Sequence, residues 1–153
     1  MATQRTQRTQ RTSGRSDSPE AVGSALWRAS LGWRRAVQQA LRPFELTVPE
    51  YLVLASLVRL TARHGVAQSQ RELSDDSGVD PMTTSRVMRA LDARHLVDRN
   101  AQYDARCWGV IATGKGKRLA GRARGPFEAA SASFLAPLGA QRQRFGKLLR
   151  KLD

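Results

Sequence analysis

Two closely spaced helices, each with its own start signal, are the feature that most limits what this chain can fold into. Ser69 and Glu72 form a capping box that begins a short helix, and Gly78 supplies the left-handed backbone that ends it. Asp80 then caps a second helix that has Pro81 in its first turn. Two helices joined by so short a turn are typical of a helix-turn-helix.

The second of these helices has two chemically different faces. Its apolar face predicts burial and consists of Thr84, Val87, Met88 and Leu91, at helical spacing. Its opposite face carries short side chains and arginines: Met82, Thr83, Ser85, Arg86 and Arg89. Short polar side chains let the backbone approach a DNA groove, and arginine can bind guanine through two hydrogen bonds. We therefore predict that this face binds double-stranded DNA.

The residues before this pair predict two more helices. Signals at Asp17–Glu20 begin a helix that runs to about Leu41. It has two apolar faces, which favours packing against a neighbouring subunit as well as against the chain's own core. Thr47 and Glu50 form a second capping box, which introduces a buried helix.

The residues after the pair predict a hairpin and two final helices. Short strand-like runs at Leu96–Arg99 and Cys107–Ala112 enclose a polar loop at Asn100–Arg106. A long helix then begins near Thr113 and is expected to be interrupted at Gly125-Pro126, before a last helix after residue 137. The predicted fold class is mainly α with a small β-hairpin wing: a winged helix-turn-helix with N- and C-terminal dimerisation helices.

The net charge of the chain favours a polyanionic partner. Lys and Arg total 26 against 13 Asp and Glu, which gives a net charge of +13. Four of the arginines lie in residues 1–16, a Gln-Arg-Thr repeat that predicts a disordered basic tail. This tail either adds phosphate contacts or has no binding role. Both interpretations remain open.

Other classes of protein are disfavoured. No apolar run reaches the roughly 20 residues of a membrane helix, so we expect no membrane partner and a cytoplasmic protein. The single cysteine, Cys107, cannot form an internal disulfide and is expected to be inert rather than a redox sensor. His64 and His95 are far apart in sequence and accompanied by too few acids for a metal site, and no nucleophile and base are paired. We therefore predict no metal, no cofactor and no enzymatic activity.

Several short motifs together resemble the MarR family of bacterial winged-helix regulators, over nearly the whole chain except the tail. The matching stretches are Leu46-Thr47-x-x-Glu50-Tyr51, Ser69-x-x-Glu72-Leu73, Gly78-Val79-Asp80-x-x-Thr83-x-Ser85-Arg86, Asp104-Ala105-Arg106 and Val110-Ile111-Ala112-Thr113-x-x-Gly116. The resemblance implies a homodimer that places two recognition helices in successive major grooves of a pseudo-palindromic site.

The resemblance also implies roles for particular residues. Arg106 at the wing would reach the minor groove, Asp104 would support the wing by orienting a nearby arginine, and Arg99 would add a DNA contact. Trp27 and Trp33 would lie on the helix that lines an effector cleft, where a small aromatic or phenolic molecule binds. These expectations predict a small-molecule-responsive transcriptional regulator, a repressor.

The resemblance suggests a division of the chain into functional segments within one compact domain. After the tail, residues 17–45 form an N-terminal dimerisation helix, residues 46–113 the DNA-binding region and residues 114–153 the C-terminal dimerisation helices. His95 stands where the family usually has glycine, so a strained left-handed backbone is expected there. The alternative function is a basic architectural protein that binds DNA or RNA and senses no ligand.

Overall fold

The computed structural model describes residues 18–102 and 108–152, which form a mainly helical chain with a two-stranded antiparallel hairpin. The elements are α1 (Pro19–Leu41), α2 (Val48–His64), α3 (Gln70–Ser77), α4 (Pro81–Ala93), β1 (Val97–Gln102), β2 (Trp108–Ala112), α5 (Gly114–Leu135) and α6 (Arg142–Leu149). Short 3-10 turns, Arg42–Phe44 and Ala136–Gln141, follow α1 and α5. The predicted fold class is confirmed, although β1 extends beyond its predicted end at Arg99.

The chain divides into two compact units, residues 1–35 and residues 36–153. The described part of the first unit consists of Ser18 and the N-terminal portion of α1. Ser18 caps this helix, because the Ala21 backbone N–H donates to Ser18 Oγ at 3.2 Å. Asp17 and the predicted tail lie outside the described residues. Three large apolar side chains of this portion are exposed: Val22, Leu26 and Trp27.

The core of the second unit forms around α2, which packs against α3, α4, β2 and α5. Four leucines at its centre are fully buried: Leu54 and Leu57 of α2, Leu73 of α3 and Leu91 of α4. Fully burying one leucine side chain contributes roughly 1.5–3 kcal/mol. The same leucines therefore stabilise the unit and hold both helices of the helix-turn-helix against α2.

The predicted capping boxes are both present. Thr47 and Glu50 form the box at the start of α2, and Ser69 and Glu72 form the box at the start of α3. Each box satisfies backbone N–H groups that a helix leaves without partners in its first turn. Because a cap depends only on residues close in sequence, these helix starts could be predicted from the sequence.

The hairpin is anchored to the segment that precedes α3. The Gln68 backbone N–H donates to the Val110 carbonyl at 2.8 Å, and the Val110 N–H donates to the Gln68 carbonyl at 2.9 Å. Gln68 is buried, and its side-chain Nε2 donates to the Val66 carbonyl at 2.7 Å. The connection between α2 and α3 therefore acts as a short third strand beside β2.

The predicted interruption of the long helix at Gly125-Pro126 is wrong, because α5 continues through Pro126 to Leu135. Proline removes one backbone hydrogen bond from a helix interior and costs about 3 kcal/mol. Packing on both sides of Pro126 opposes this cost. Ala123 is fully buried, and the Phe127 ring lies 4.4 Å from the Tyr51 ring, centroid to centroid. Tertiary contacts thus keep both parts of α5 against α2.

The backbone at His95 is strained, as the family resemblance implies for a residue that replaces glycine there. Its φ of 57° lies in the left-handed region, where the side chains of L-residues are disfavoured. The turn is needed because the chain reverses from α4 into β1, and the Leu96 N–H donates to the Leu91 carbonyl at 2.9 Å to close it. The His95 side chain is exposed, so its removal costs little packing.

We therefore expect His95→Gly to raise the free energy of unfolding by about 1 kcal/mol, because glycine adopts this backbone without strain. Urea unfolding followed by circular dichroism measures the change. Ala129→Gly is the matched control, since Ala129 is exposed within α5. There glycine should lower stability by about 0.5–1 kcal/mol. A loss of stability in both variants would show that His95 stores no strain.

Candidate nucleic-acid interface

The turn between α3 and α4 is held by side-chain hydrogen bonds. Ser74 Oγ donates to the Val79 carbonyl at 2.7 Å, and the buried Thr84 Oγ1 donates to the same carbonyl at 3.0 Å. Gln70 Nε2, at the start of α3, donates to the Pro81 carbonyl at 3.2 Å. These bonds link both helices to one turn, so α4 is presented in a fixed orientation relative to α3.

Asp80 begins α4 as predicted. The Thr83 backbone N–H donates to Asp80 Oδ1 at 2.9 Å. This hydrogen bond lowers the pKa of the Asp80 carboxyl below its usual value. A carboxylate at the start of a helix is also stabilised by the partial positive charge of the unpaired N–H groups there.

The two faces of α4 are separated as the sequence predicts. Thr84, Val87, Met88 and Leu91 are all buried, and they attach the helix to the core. On the other side, Met82 is 84% exposed and the side chains of Arg86 and Arg89 are also exposed. Thr83 and Ser85 are half-buried. The outward surface is therefore formed mainly by one methionine and two arginines.

The two arginines of this surface carry unbalanced positive charge. Within residues 18–102 and 108–152, no carboxylate forms an ion pair with Arg86 or Arg89. An exposed guanidinium that lacks a protein partner can bind a phosphate or a guanine edge without first breaking an ion pair. This face of α4 is therefore both cationic and accessible to a ligand from outside the protein.

The predicted wing residues are only partly within the described chain. Arg99 lies on β1 with its side chain exposed, near an irregularity in the pairing between β1 and β2. Asp104, Arg106 and Cys107 lie outside the described residues. The roles predicted for these four residues stay predictions.

A contact between α2 and α3 was missed by the sequence interpretation. Asp75 and Asp76 suggest a solvated helix face, but the Asp76 carboxylate accepts hydrogen bonds from Ser56 Oγ and from a guanidinium nitrogen of Arg59. Ser56 is fully buried in the apolar face of α2, and a buried hydroxyl nearly always has a partner. A serine among leucines was therefore the available signal, although the sequence could not identify Asp76 as the partner.

The two predicted effector residues belong to the first unit. Trp27 is 65% exposed, whereas Trp33 is half-buried. Because successive residues turn by about 100° around a helix, the two side chains leave α1 about 120° apart. They therefore do not form one flat stacking face on this helix, and their role in ligand binding stays a prediction.

Two features bear on other classes of protein. None of the helices in the described part of the chain has both the length and the apolar character needed to cross a membrane. In the same part, no three side chains of the His, Cys, Asp or Glu type are grouped so that they could hold a metal ion.

The chain is similar to known transcriptional repressors, although it matches no family model. It is 34% identical to the HTH-type transcriptional repressor Rv2887 of Mycobacterium tuberculosis over 138 aligned residues. The alignment covers 89% of this chain and 94% of the repressor. The crystal structure of Rv2887, a MarR family protein, in complex with DNA matches with a TM-score of 0.65 and 32% identity, over 89% of this chain and 98% of that one.

Two further structures of similar proteins also match, and each of these proteins is associated with a small aromatic acid. Rv2887 in complex with salicylic acid has a TM-score of 0.65 and 34% identity, over 90% of this chain and 98% of that one. BpsR of Bordetella bronchiseptica, whose DNA binding is regulated by 6-hydroxynicotinic acid, has a TM-score of 0.75 and 27% identity, over 90% of this chain and 96% of that one.

Proposed function

This chain belongs to the MarR family of winged helix-turn-helix transcriptional regulators, and from that premise we propose that it represses transcription by binding a pseudo-palindromic operator as a homodimer. The observation that carries the proposal is the outward face of α4. Its arginines, Arg86 and Arg89, are exposed and without ion pairs within the described residues. A cationic helix held rigidly by its turn is suited to enter the major groove.

Dimerisation is supported by apolar side chains near both ends of the described chain. Val22, Leu26 and Trp27 of α1 are exposed, and so are three leucines at the C-terminal end: Leu148, Leu149 and Leu152. Large apolar side chains grouped on a surface mark interaction sites. A two-fold symmetric dimer would bring two α4 helices to half-sites about 34 Å apart, one turn of DNA.

Specific reading of the operator is assigned to α4 and the wing. Arg86 and Arg89 can each bind guanine with two hydrogen bonds, Thr83 and Ser85 can bind several base edges, and Met82 can contact a thymine methyl group. Arg99 and Arg106 are proposed to contact DNA from the wing, with Asp104 supporting it. The phosphate contacts of the remaining cations set the position of the protein on the duplex.

A small aromatic acid is the effector class we propose. The ligands named for the two similar proteins, salicylic acid and 6-hydroxynicotinic acid, both combine an aromatic ring with a carboxyl group. Binding of such a molecule would release the operator, with Trp27 and Trp33 as candidate stacking residues. We propose no enzymatic activity, because the similar proteins are transcription regulators. We also propose that the protein is located in the bacterial cytoplasm, bound to the nucleoid.

Selection of bound sequences from random DNA tests this function. If the protein is a sequence-specific regulator, an inverted repeat should be enriched. If it is a purely architectural protein, no sequence should be enriched. We expect Arg86→Ala to weaken binding to the enriched site by about 1–3 kcal/mol and to weaken non-specific binding less. Fluorescence anisotropy with both DNAs measures the two losses.

Arg144→Ala is the matched control for the loss of one charge, because Arg144 is an exposed arginine of α6. This variant should lower the affinity for both DNAs by similar small factors. An equal loss on specific and non-specific DNA in Arg86→Ala would contradict base reading and reduce Arg86 to a phosphate contact.

A further inference from the structure

The first helix of the helix-turn-helix, α3, has little apolar surface with which to hold its orientation. It is eight residues long, and Leu73 is its one large apolar side chain. So short a helix is marginal in isolation, and its tertiary contacts determine how it lies in the protein. Because α3 and α4 share one turn, the orientation of the recognition helix depends on how firmly α3 is held.

Polar contacts join one side of α3 to the turn and to the start of α4. Gln70 Nε2 donates to the Pro81 carbonyl at 3.2 Å, and Ser74 Oγ donates to the Val79 carbonyl at 2.7 Å. Gln70 and Ser74 are four residues apart, so they lie on the same side of α3. These contacts fix α3 and α4 relative to each other but attach neither helix to α2.

A second polar contact attaches a different side of α3 to α2. Asp76 leaves α3 about 160° from Ser74, because successive residues turn by about 100° around a helix. Asp76 Oδ2 accepts hydrogen bonds from Ser56 Oγ and from a guanidinium nitrogen of Arg59, both on α2. Hydrogen bonds to a charged carboxylate are stronger than those between neutral groups. Contacts on two nearly opposite sides therefore resist rotation of α3 about its own axis.

The burial of Ser56 makes this contact selective for one arrangement of the two helices. Ser56 is fully buried, whereas the side chain of Asp76 is 27% exposed. A buried hydroxyl that loses its partner is unfavourable, because no water replaces the lost hydrogen bond. Rotation or sliding of α3 would leave Ser56 in that state. The contact therefore favours a single orientation of α3.

We propose that Asp76, through Ser56 and Arg59, is a positioning residue for operator binding, which fixes α3 and α4 so that Arg86 and Arg89 reach base edges. This inference rests on the proposed function and extends it to residues that contact α2. Base reading needs well-aligned hydrogen bonds, which weaken steeply as their angles depart from linearity. Non-specific binding depends mainly on charge and tolerates small rotations. Loss of the Asp76 contact therefore reduces specific binding selectively.

Asp76→Asn tests the proposal because charge and positioning act on operator affinity in opposite directions. The substitution keeps the shape of the side chain but removes a negative charge, which should slightly strengthen non-specific binding. Loss of positioning should weaken binding to the enriched operator about fivefold or more. Fluorescence anisotropy with both DNAs measures the two affinities, and circular dichroism checks that the variant is folded. A merely structural role would lower both affinities by the same factor, through a smaller folded fraction.

Asp75→Asn is the matched control for the change of charge. Asp75 is the neighbouring carboxylate of α3, its side chain is 74% exposed, and it lies 3.9 Å from Arg71 Nε on the same helix. Its substitution removes the same charge and leaves the contact between Asp76 and α2 intact. Binding to both DNAs should become slightly stronger in this variant.

Ser56→Ala is the second variant, because it removes the partner hydroxyl without changing the charge. It should weaken operator binding and spare non-specific binding. Its effect should combine with that of Asp76→Asn less than additively, since both remove the same contact. Full additivity would overturn the inference.

The ratio of specific to non-specific affinity separates the remaining outcomes. An unchanged ratio in Asp76→Asn, or equal changes in Asp75→Asn and Asp76→Asn, would overturn the role of Asp76 and leave the proposed function standing. Failure of the wild type to enrich any DNA sequence would overturn the proposed function and this inference with it.

Discussion

Gly116→Ala is expected to destabilise the protein by about 3 kcal/mol or more, because a side chain at this position has no space. A Cβ atom there would lie 2.0 Å from the Leu96 carbonyl oxygen and 3.0 Å from its carbonyl carbon. That oxygen cannot move aside, since it accepts hydrogen bonds from both the N–H and the Oγ1 of Thr113, each at 3.1 Å. Overpacking commonly costs about 1–3 kcal/mol, and a clash with backbone lies at the upper end or beyond.

Such a loss is a large part of the roughly 5–15 kcal/mol that stabilises a typical domain. Urea unfolding measures the loss of stability. Operator affinity should fall as well, because the lack of a side chain at Gly116 lets α5 pack against Leu96, in the turn that follows α4. Gly121→Ala is the control in the same helix, where an added Cβ would meet nothing within 4 Å. It should raise stability by about 0.5–1 kcal/mol. Equal stability of the two variants would contradict the close approach of α5 to Leu96.

Operator affinity is expected to fall about a thousandfold or more when the salt concentration rises from about 50 to about 200 mM. Each phosphate neutralised by the protein releases condensed counterions from DNA, and this release is less favourable in high salt. The net charge of +13 makes six or more phosphate contacts by a dimer a reasonable minimum. Anisotropy titrations at several salt concentrations give the slope directly, and a nearly flat slope would contradict the expected mode of binding.

Removal of residues 1–16 is the companion experiment. It deletes four arginines without changing any described residue. If the folded region makes the specific contacts, the logarithm of the affinity should depend less steeply on the logarithm of the salt concentration, because fewer phosphates are neutralised. The preference for the enriched site should be retained. A collapse of all binding would instead favour the architectural alternative, in which the tail supplies the affinity.

The parts of the fold that were predictable depend on residues close in sequence. The capping box of Ser69 and Glu72 and the Asp80 cap are both determined within a few residues. The left-handed backbone at His95 was expected from the family resemblance. The burial pattern of α4 follows from its helical period alone. The exposed face of α4, which includes Arg86 and Arg89, could therefore be identified from the sequence.

The parts that were not predictable depend on residues distant in sequence. The helix through Pro126 persists because Phe127 packs on Tyr51, far away along the chain. Asp76 finds its partners, Ser56 and Arg59, on α2, 20 and 17 residues away along the chain. Local propensity cannot report such contacts, since tertiary packing decides them.

The backbone pairing of Gln68 with Val110 limits the length of the DNA half-site that the protein can bind. It ties the base of the hairpin to the residues immediately before α3, so the wing and the helix-turn-helix cannot change their separation independently. In the proposed complex, the distance along the duplex between the major-groove contact of α4 and the minor-groove contact of the wing is then set by the protein. Natural operators should vary in the length of the spacer between half-sites more readily than in the length of a half-site itself.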